Sequence, residues 1–67
     1  MNLKALRLFR LTVLQGTLSG AAASANLSQS SASRMIATLE AELKIKLFER
    51  INQRLVLTAE GERFFQE

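Results

Sequence analysis

The sequence predicts a mainly α fold: a three-helix core, then a small β-hairpin, then the start of a further helix. Three observations predict it. Apolar residues recur at spacings of three and four over residues 3–15 and 29–43, the period of a helix with one buried face. Gly16 and Asn26, which tolerate left-handed backbone, punctuate the helical segments. After Lys46 the pattern changes to two strand-like runs, Leu47-Phe48-Glu49-Arg50 and Arg54-Leu55-Val56-Leu57.

The first helix is expected over Leu3 to Gln15, with Leu6, Phe9 and Val13 on its apolar stripe and Gly16 ending it. Leu8 and Leu11 fall off that stripe. Either they complete a broad buried face, or something beyond this domain covers them. The second helix, Ser19 to Ala25, is almost all small residues, which lets two helix backbones approach closely. Asn26 suits the turn after it, and Leu27 can plug the core there. Ser28 is a good cap for the third helix, Gln29 to Leu43.

On that third helix Ala32, Met35, Ile36, Leu39 and Leu43 form the apolar stripe. At about 100° per residue the opposite side carries Ser30, Ser33, Arg34, Ala37 and Ala41. An ordinary solvent face would be dense in Lys and Glu. This one is small, with a single Arg near its amino-terminal end. Ile51-Asn52-Gln53 then joins the two strand-like runs, and Asn52 suits a tight turn. Thr58 can cap a last helix beginning Ala59-Glu60-Gly61-Glu62, whose acids sit at the favourable end of the helix dipole. Phe64 and Phe65 would be poorly covered in so short a helix.

A chain of 67 residues allows one domain at most. Such a domain buries only about 60% of its unfolded surface, too little to frame a large catalytic cleft. With no Cys and no His there are no disulfides, no zinc-finger spacing and no thiol nucleophile. The lack of disulfides agrees with a cytosolic location. No apolar run approaches a membrane span. The six acids are all Glu; Glu40 and Glu42, like Glu60 and Glu62, are two apart and do not face one another on a helix. There is no glycine-rich phosphate loop. An enzyme is not expected, nor is a cofactor or a metal site. Up to Thr58 eight basic residues stand against three acids, and after it one stands against three. A basic body of this kind points towards polyanions.

Two helices joined by a tight turn, over about residues 18–37, make a helix-turn-helix, and the hairpin at about 47–57 adds a wing. The fold expected over residues 1–58 is thus a winged helix-turn-helix. The second helix of such a motif enters the DNA major groove, about 12 Å wide, and bulky residues on its face would hold it away. Ser30, Ser33, Ala37 and Ala41 permit the approach. Gln29 can then pair with adenine and Arg34 with guanine, while Ser28 and the helix start can hold a phosphate. Plainer readings stand beside these. Ser28 is first a cap, Gln29 a surface residue and Arg34 a solvated cation. Ala37 and Ala41 could equally pack on a partner helix. That alternative, a protein-interaction module without nucleic-acid binding, predicts binding indifferent to salt.

The succession Leu6, Phe9, Gly16-Thr17-Leu18, Ala21-Ala22, Leu27-Ser28-Gln29, Ser33-Arg34, Ile36, Leu39-Glu40, Leu43, Leu47-Phe48-Glu49-Arg50, Arg54, Leu57-Thr58 and Gly61-Glu62 resembles the LysR-type transcriptional regulators. The resemblance runs over essentially the whole chain without a gap. It implies a bacterial, cytoplasmic, nucleoid-associated protein whose Gln29, Ser30, Ser33 and Arg34 face bases. It implies that the wing around Gln53 and Arg54 lies near the adjacent minor groove. Ser28, Ser31, Arg50, Gln53 and Arg54 are the candidate contacts to the backbone and minor groove. The helix from residue 59 to 67 is expected to start a linker that pairs two subunits, with Leu8, Leu11, Phe64 and Phe65 packing there. In the family a separate effector-binding domain follows, outside this chain, and a small-molecule effector would act only through it.

The chain departs from the family pattern in four places. Ser30 stands where proline is usual, which loosens the helix start. Lys44 stands where glycine is usual, so the third helix is expected to end without its normal left-handed cap residue. Gln53 replaces a common basic residue, and Arg54 either supplies the minor-groove contact or binds only phosphate. Gly20 replaces a larger residue, so a backbone contact from the second helix is expected to be missing.

Overall fold

A computed structural model describes residues 2–51 and 54–66; the expected contact at Gln53 and the turn residue Asn52 lie outside the described residues. The elements run α1 (Leu3–Gln15), α2 (Leu18–Ser24), α3 (Gln29–Leu43), β1 (Phe48–Ile51), β2 (Arg54–Leu57) and α4 (Ala59–Gln66). This is the expected winged helix-turn-helix architecture, with the hairpin as its two-stranded antiparallel sheet.

The Asn2 side chain caps α1 by accepting from the Lys4 N–H at 2.9 Å, and Gly16 at φ 81° closes it. The buried face of α1 is Ala5, Leu8, Phe9 and Thr12, turned from the expected Leu6–Phe9–Val13 stripe, whose outer two members are half-buried flanks. A threonine can hold this core position because its hydroxyl donates to the Leu8 carbonyl at 2.7 Å within the same helix. Leu8 is only 1% exposed. That settles its alternatives: it completes the broad buried face. It has no surface left for a subunit contact, which corrects the expectation placed on it.

Thr17 caps α2 by accepting from the Gly20 N–H at 3.1 Å, so the helix starts one residue before the expected Ser19. Leu18, Ala21 and Ala22 face the core, and the alanines allow α1 and α3 to close on them. Asn26, at φ 59°, reverses the chain, and the Leu27 N–H returns to the Ala22 carbonyl at 2.8 Å. Ser28 then caps α3, accepting from the Ser31 N–H at 3.1 Å. The α3 residues Ala32, Ile36 and Leu39 are buried, with Met35 and Leu43 half-buried beside them.

α3 ends without the usual glycine, as expected, but still on a left-handed residue. Lys44 itself takes φ 60°, ψ 34°, and its N–H bonds the Glu40 carbonyl. The next residues compensate: the turn carries half-buried Ile45 and fully buried Leu47 into the core. Leu47 therefore belongs to the core and not to the wing, and β1 runs one residue further than expected, through Ile51.

The hairpin register pairs Phe48 with Leu57, Glu49 with Val56, Arg50 with Leu55 and Ile51 with Arg54. Alternation puts Phe48, Arg50, Leu55 and Leu57 on one face, three of them half-buried, and leaves Glu49, Ile51, Arg54 and Val56 exposed on the other. Thr58 ties hairpin, core and α4 together. Its N–H donates to the Leu47 carbonyl at 2.9 Å, its hydroxyl donates to the Lys46 carbonyl, and its oxygen accepts from the Gly61 N–H at 2.9 Å. Gly61 is buried so closely against the Leu47 carbonyl that a β-carbon would overlap it. Phe9 of α1 meets Phe48 and Phe64 at ring-centroid distances of 5.5 Å each and Phe65 at 6.1 Å.

Candidate nucleic-acid interface

The outward side of α3 is made mostly of small side chains. Ser30, Ser33, Arg34, Ala37 and Ala41 are all exposed, as are Ser28 and Gln29 at the helix start. They are exposed because Ala32, Ile36 and Leu39 fix the opposite side in the core, and the helical period leaves no other orientation. The result is a ridge whose width is set by hydroxyls and methyls, with Arg34 as its one cation.

At the start of this ridge the serines bond one another. The Ser28 hydroxyl lies 2.9 Å from that of Ser31 and 3.3 Å from that of Ser30. Where a proline would rigidify this turn by its ring, Ser30 instead joins a hydroxyl cluster built on the cap. Ser31 is half-buried within it.

Grooves flank the ridge on both sides and separate the candidate residues. On the wing side, a groove of about 330 Å³ has Ser33 and Ala37 on one wall and Arg50 and Leu55 on the other. Continuous with Arg50 is a cleft of about 690 Å³ between the start of α2 and the hairpin, which also brings in Gln29 and Arg54. On the far side, a third groove of about 440 Å³ runs between α3 and the start of α1, lined by Asn2, Ser31, Arg34, Thr38 and Glu42. Gln29, Ser33, Arg50 and Arg54 are thus brought together near the wing. Arg34 and Ser31 stand on the opposite flank, beside α1.

The residues expected at a subunit contact also divide. Leu8 is internal. Leu11 is half-buried on α1, and Phe64 and Phe65 are half-buried because both pack on Phe9 of the same chain. Two contributors carried little or no sequence signal. Glu40, on α3, accepts hydrogen bonds from the Leu47 and Phe48 N–H groups at 2.8 and 3.3 Å. Backbone N–H groups have no residue type, so only the place of Glu40 beside the apolar stripe hinted at it. Thr12 gave no hint at all.

The family model described as bacterial regulatory helix-turn-helix protein, lysR family, matches residues 3–62. This chain belongs to the lysR family. It is 37% identical over 67 residues to the transcriptional activator protein LysR of Escherichia coli (strain K12), covering 100% of this chain and 22% of that protein. It is 41% identical over 63 residues to the HTH-type transcriptional regulator CzcR of Bacillus anthracis, covering 94% of this chain and 22% of that protein. The chain therefore spans about a fifth of the length of these regulators. Among solved structures, the BenM DBD in complex with catB site 1 DNA superposes with a TM-score of 0.91 at 38% identity, over 98% of this chain and 74% of that one. A full-length AphB variant superposes with a TM-score of 0.91 at 34% identity, over 100% of this chain and 23% of that one.

Proposed function

We propose that this chain is the sequence-specific DNA-binding domain of a bacterial transcriptional regulator. α3 reads the major groove, with Gln29, Ser30, Ser33 and Arg34 towards base edges. Ser28, Ser31, Arg50 and Arg54 hold the phosphate backbone, and the wing lies along the adjacent minor groove. The observation that carries the reading is the small exposed ridge of α3 with a wing beside it, in a chain superposing at a TM-score of 0.91 on a domain solved with DNA.

α4 starts a linker helix that pairs two copies, so that two reading helices meet half-sites about 34 Å apart, one turn of the duplex. An effector acts through a further domain, and the protein works in the cytoplasm at the nucleoid. No helix among the described residues is long and apolar enough to cross a membrane.

Selection of bound sequences from random duplex DNA at stated salt, with the full gene product, tests the reading. Enrichment of an interrupted palindrome is the expected result. Recovery of no preferred sequence, together with salt-indifferent binding to a protein partner, would transfer the α3 ridge to protein docking.

A further inference from the structure

Glu40 is the one carboxylate on α3 that turns inward to the hairpin instead of outward to solvent. Its side chain is 14% exposed. One oxygen, Oε2, accepts from both the Leu47 and the Phe48 N–H, at 2.8 and 3.3 Å. These are the groups at which the chain enters β1. The other oxygen, Oε1, lies 3.9 Å from Lys46 Nζ, but that ammonium is on a side chain 79% exposed. A surface pair at that distance contributes little, whereas hydrogen bonds from a half-buried backbone to a charged acceptor are the stronger kind. The grip on the backbone is therefore what matters.

Arg50 lies two residues beyond Phe48, on the same face of the hairpin. Ser33, Ala37, Glu40 and Arg50 line a single groove. The helices pack mainly on one another and the two strands mainly on each other, so the backbone of the wing approaches that of α3 at few points. Leu47 is anchored in the core, and Phe48 rests on Phe9. Those contacts, together with half-buried Leu55 and Leu57 and the Thr58 bond to the Leu47 carbonyl, seat the hairpin on the core, while the bonds from the Leu47 and Phe48 N–H groups to Glu40 tie its entry to α3 itself.

We infer that Glu40 is a positioning residue: its carboxylate sets the wing against the recognition helix, so that Arg50 and Arg54 meet phosphates while α3 sits in the major groove. This rests on the DNA-binding reading given above. Because a single oxygen accepts both N–H groups, an amide oxygen in the same place keeps both bonds, each weaker without the charge, and retains most of the function.

A double-mutant cycle tests it, using the full gene product and the duplex recovered by selection, with a thermal melt to show that each variant folds. Glu40→Ala is expected to weaken binding roughly tenfold and to make its salt dependence shallower, as fewer phosphates are neutralised. Glu40→Gln is expected to restore affinity to within about threefold of the parent, a small fraction of a hydrogen bond to a charged group. Arg50→Ala with Arg54→Ala should weaken the parent but add almost nothing in the Glu40→Ala background. If Glu40→Ala does not fold, Glu40→Asp replaces it, retracting the carboxylate by one methylene while keeping its charge. Full additivity of the arginine and Glu40 losses, or failure of glutamine to rescue, would overturn the positioning role while leaving DNA binding intact. Absence of any selected duplex for the unsubstituted protein would instead remove the reading beneath it.

Discussion

Ser33 and Arg34 are neighbours in the chain, yet they line different grooves, Ser33 with the wing and Arg34 with the start of α1. Their contributions should be separable. Arg34→Ala is expected to cost about 1–3 kcal/mol of affinity for the selected duplex and to relax preference at a single base position, whereas Arg54→Ala should weaken all sequences alike and lower the salt slope by about one. Binding measured on a panel of single-base variants checks both, and a uniform loss for Arg34→Ala would assign it to phosphate. A second residue-scale prediction concerns Lys44. A left-handed backbone disfavours any side chain by roughly 1–2 kcal/mol, and glycine removes that penalty at some cost in unfolded-state entropy. Lys44→Gly should therefore stabilise the domain by about 0.5–1 kcal/mol, seen as a higher urea midpoint with an unchanged slope. A lower midpoint would mean that the lysine side chain contributes to the fold.

α4 packs Phe64 and Phe65 on Phe9 with its second turn, while Thr58 and Gly61 fasten its first turn to the hairpin. Shortening Phe64 to alanine should cost about 1–2 kcal/mol in chemical denaturation, below the roughly 3–5 kcal/mol of a fully buried phenylalanine, because the ring is only half covered. A change in self-association without a change in stability would show instead that this ring serves the subunit contact alone. At the scale of elements the sequence was legible where capping chemistry is local. Gly16 and Ser28 fixed the end of α1 and the start of α3, and Asn26 took the left-handed turn foreseen for it. The third helix also showed its exposed ridge, since alanine and serine at helical spacing have one geometric consequence. The rest depended on long-range packing. The buried face of α1 turned towards Thr12 because an internal hydrogen bond hides the hydroxyl. Leu47 passed from wing to core because period-two alternation does not say where a strand begins. That the wing closes on only one flank of α3 is set by Glu40 and Thr58 acting on distant backbone, which no spacing reveals.

Taken whole, the molecule measures 29 × 26 × 18 Å, about the span of one duplex turn, and carries its excess of positive charge before Thr58. Electrostatic attraction should supply much of the affinity. Log affinity for the selected duplex is expected to fall linearly with log salt, by about 0.9 for each phosphate neutralised. A flat profile in a titration series would contradict an interface built on Arg34, Arg50 and Arg54. The aromatic cluster has a practical corollary. Phe9, Phe48, Phe64 and Phe65 are the only rings in the chain, with no tyrosine or tryptophan, and all four meet at Phe9. Near-ultraviolet circular dichroism, which reports fixed aromatic surroundings, therefore has a single origin here. It is a built-in optical gauge of whether hairpin and terminal helix are seated on α1, readable without attaching any label.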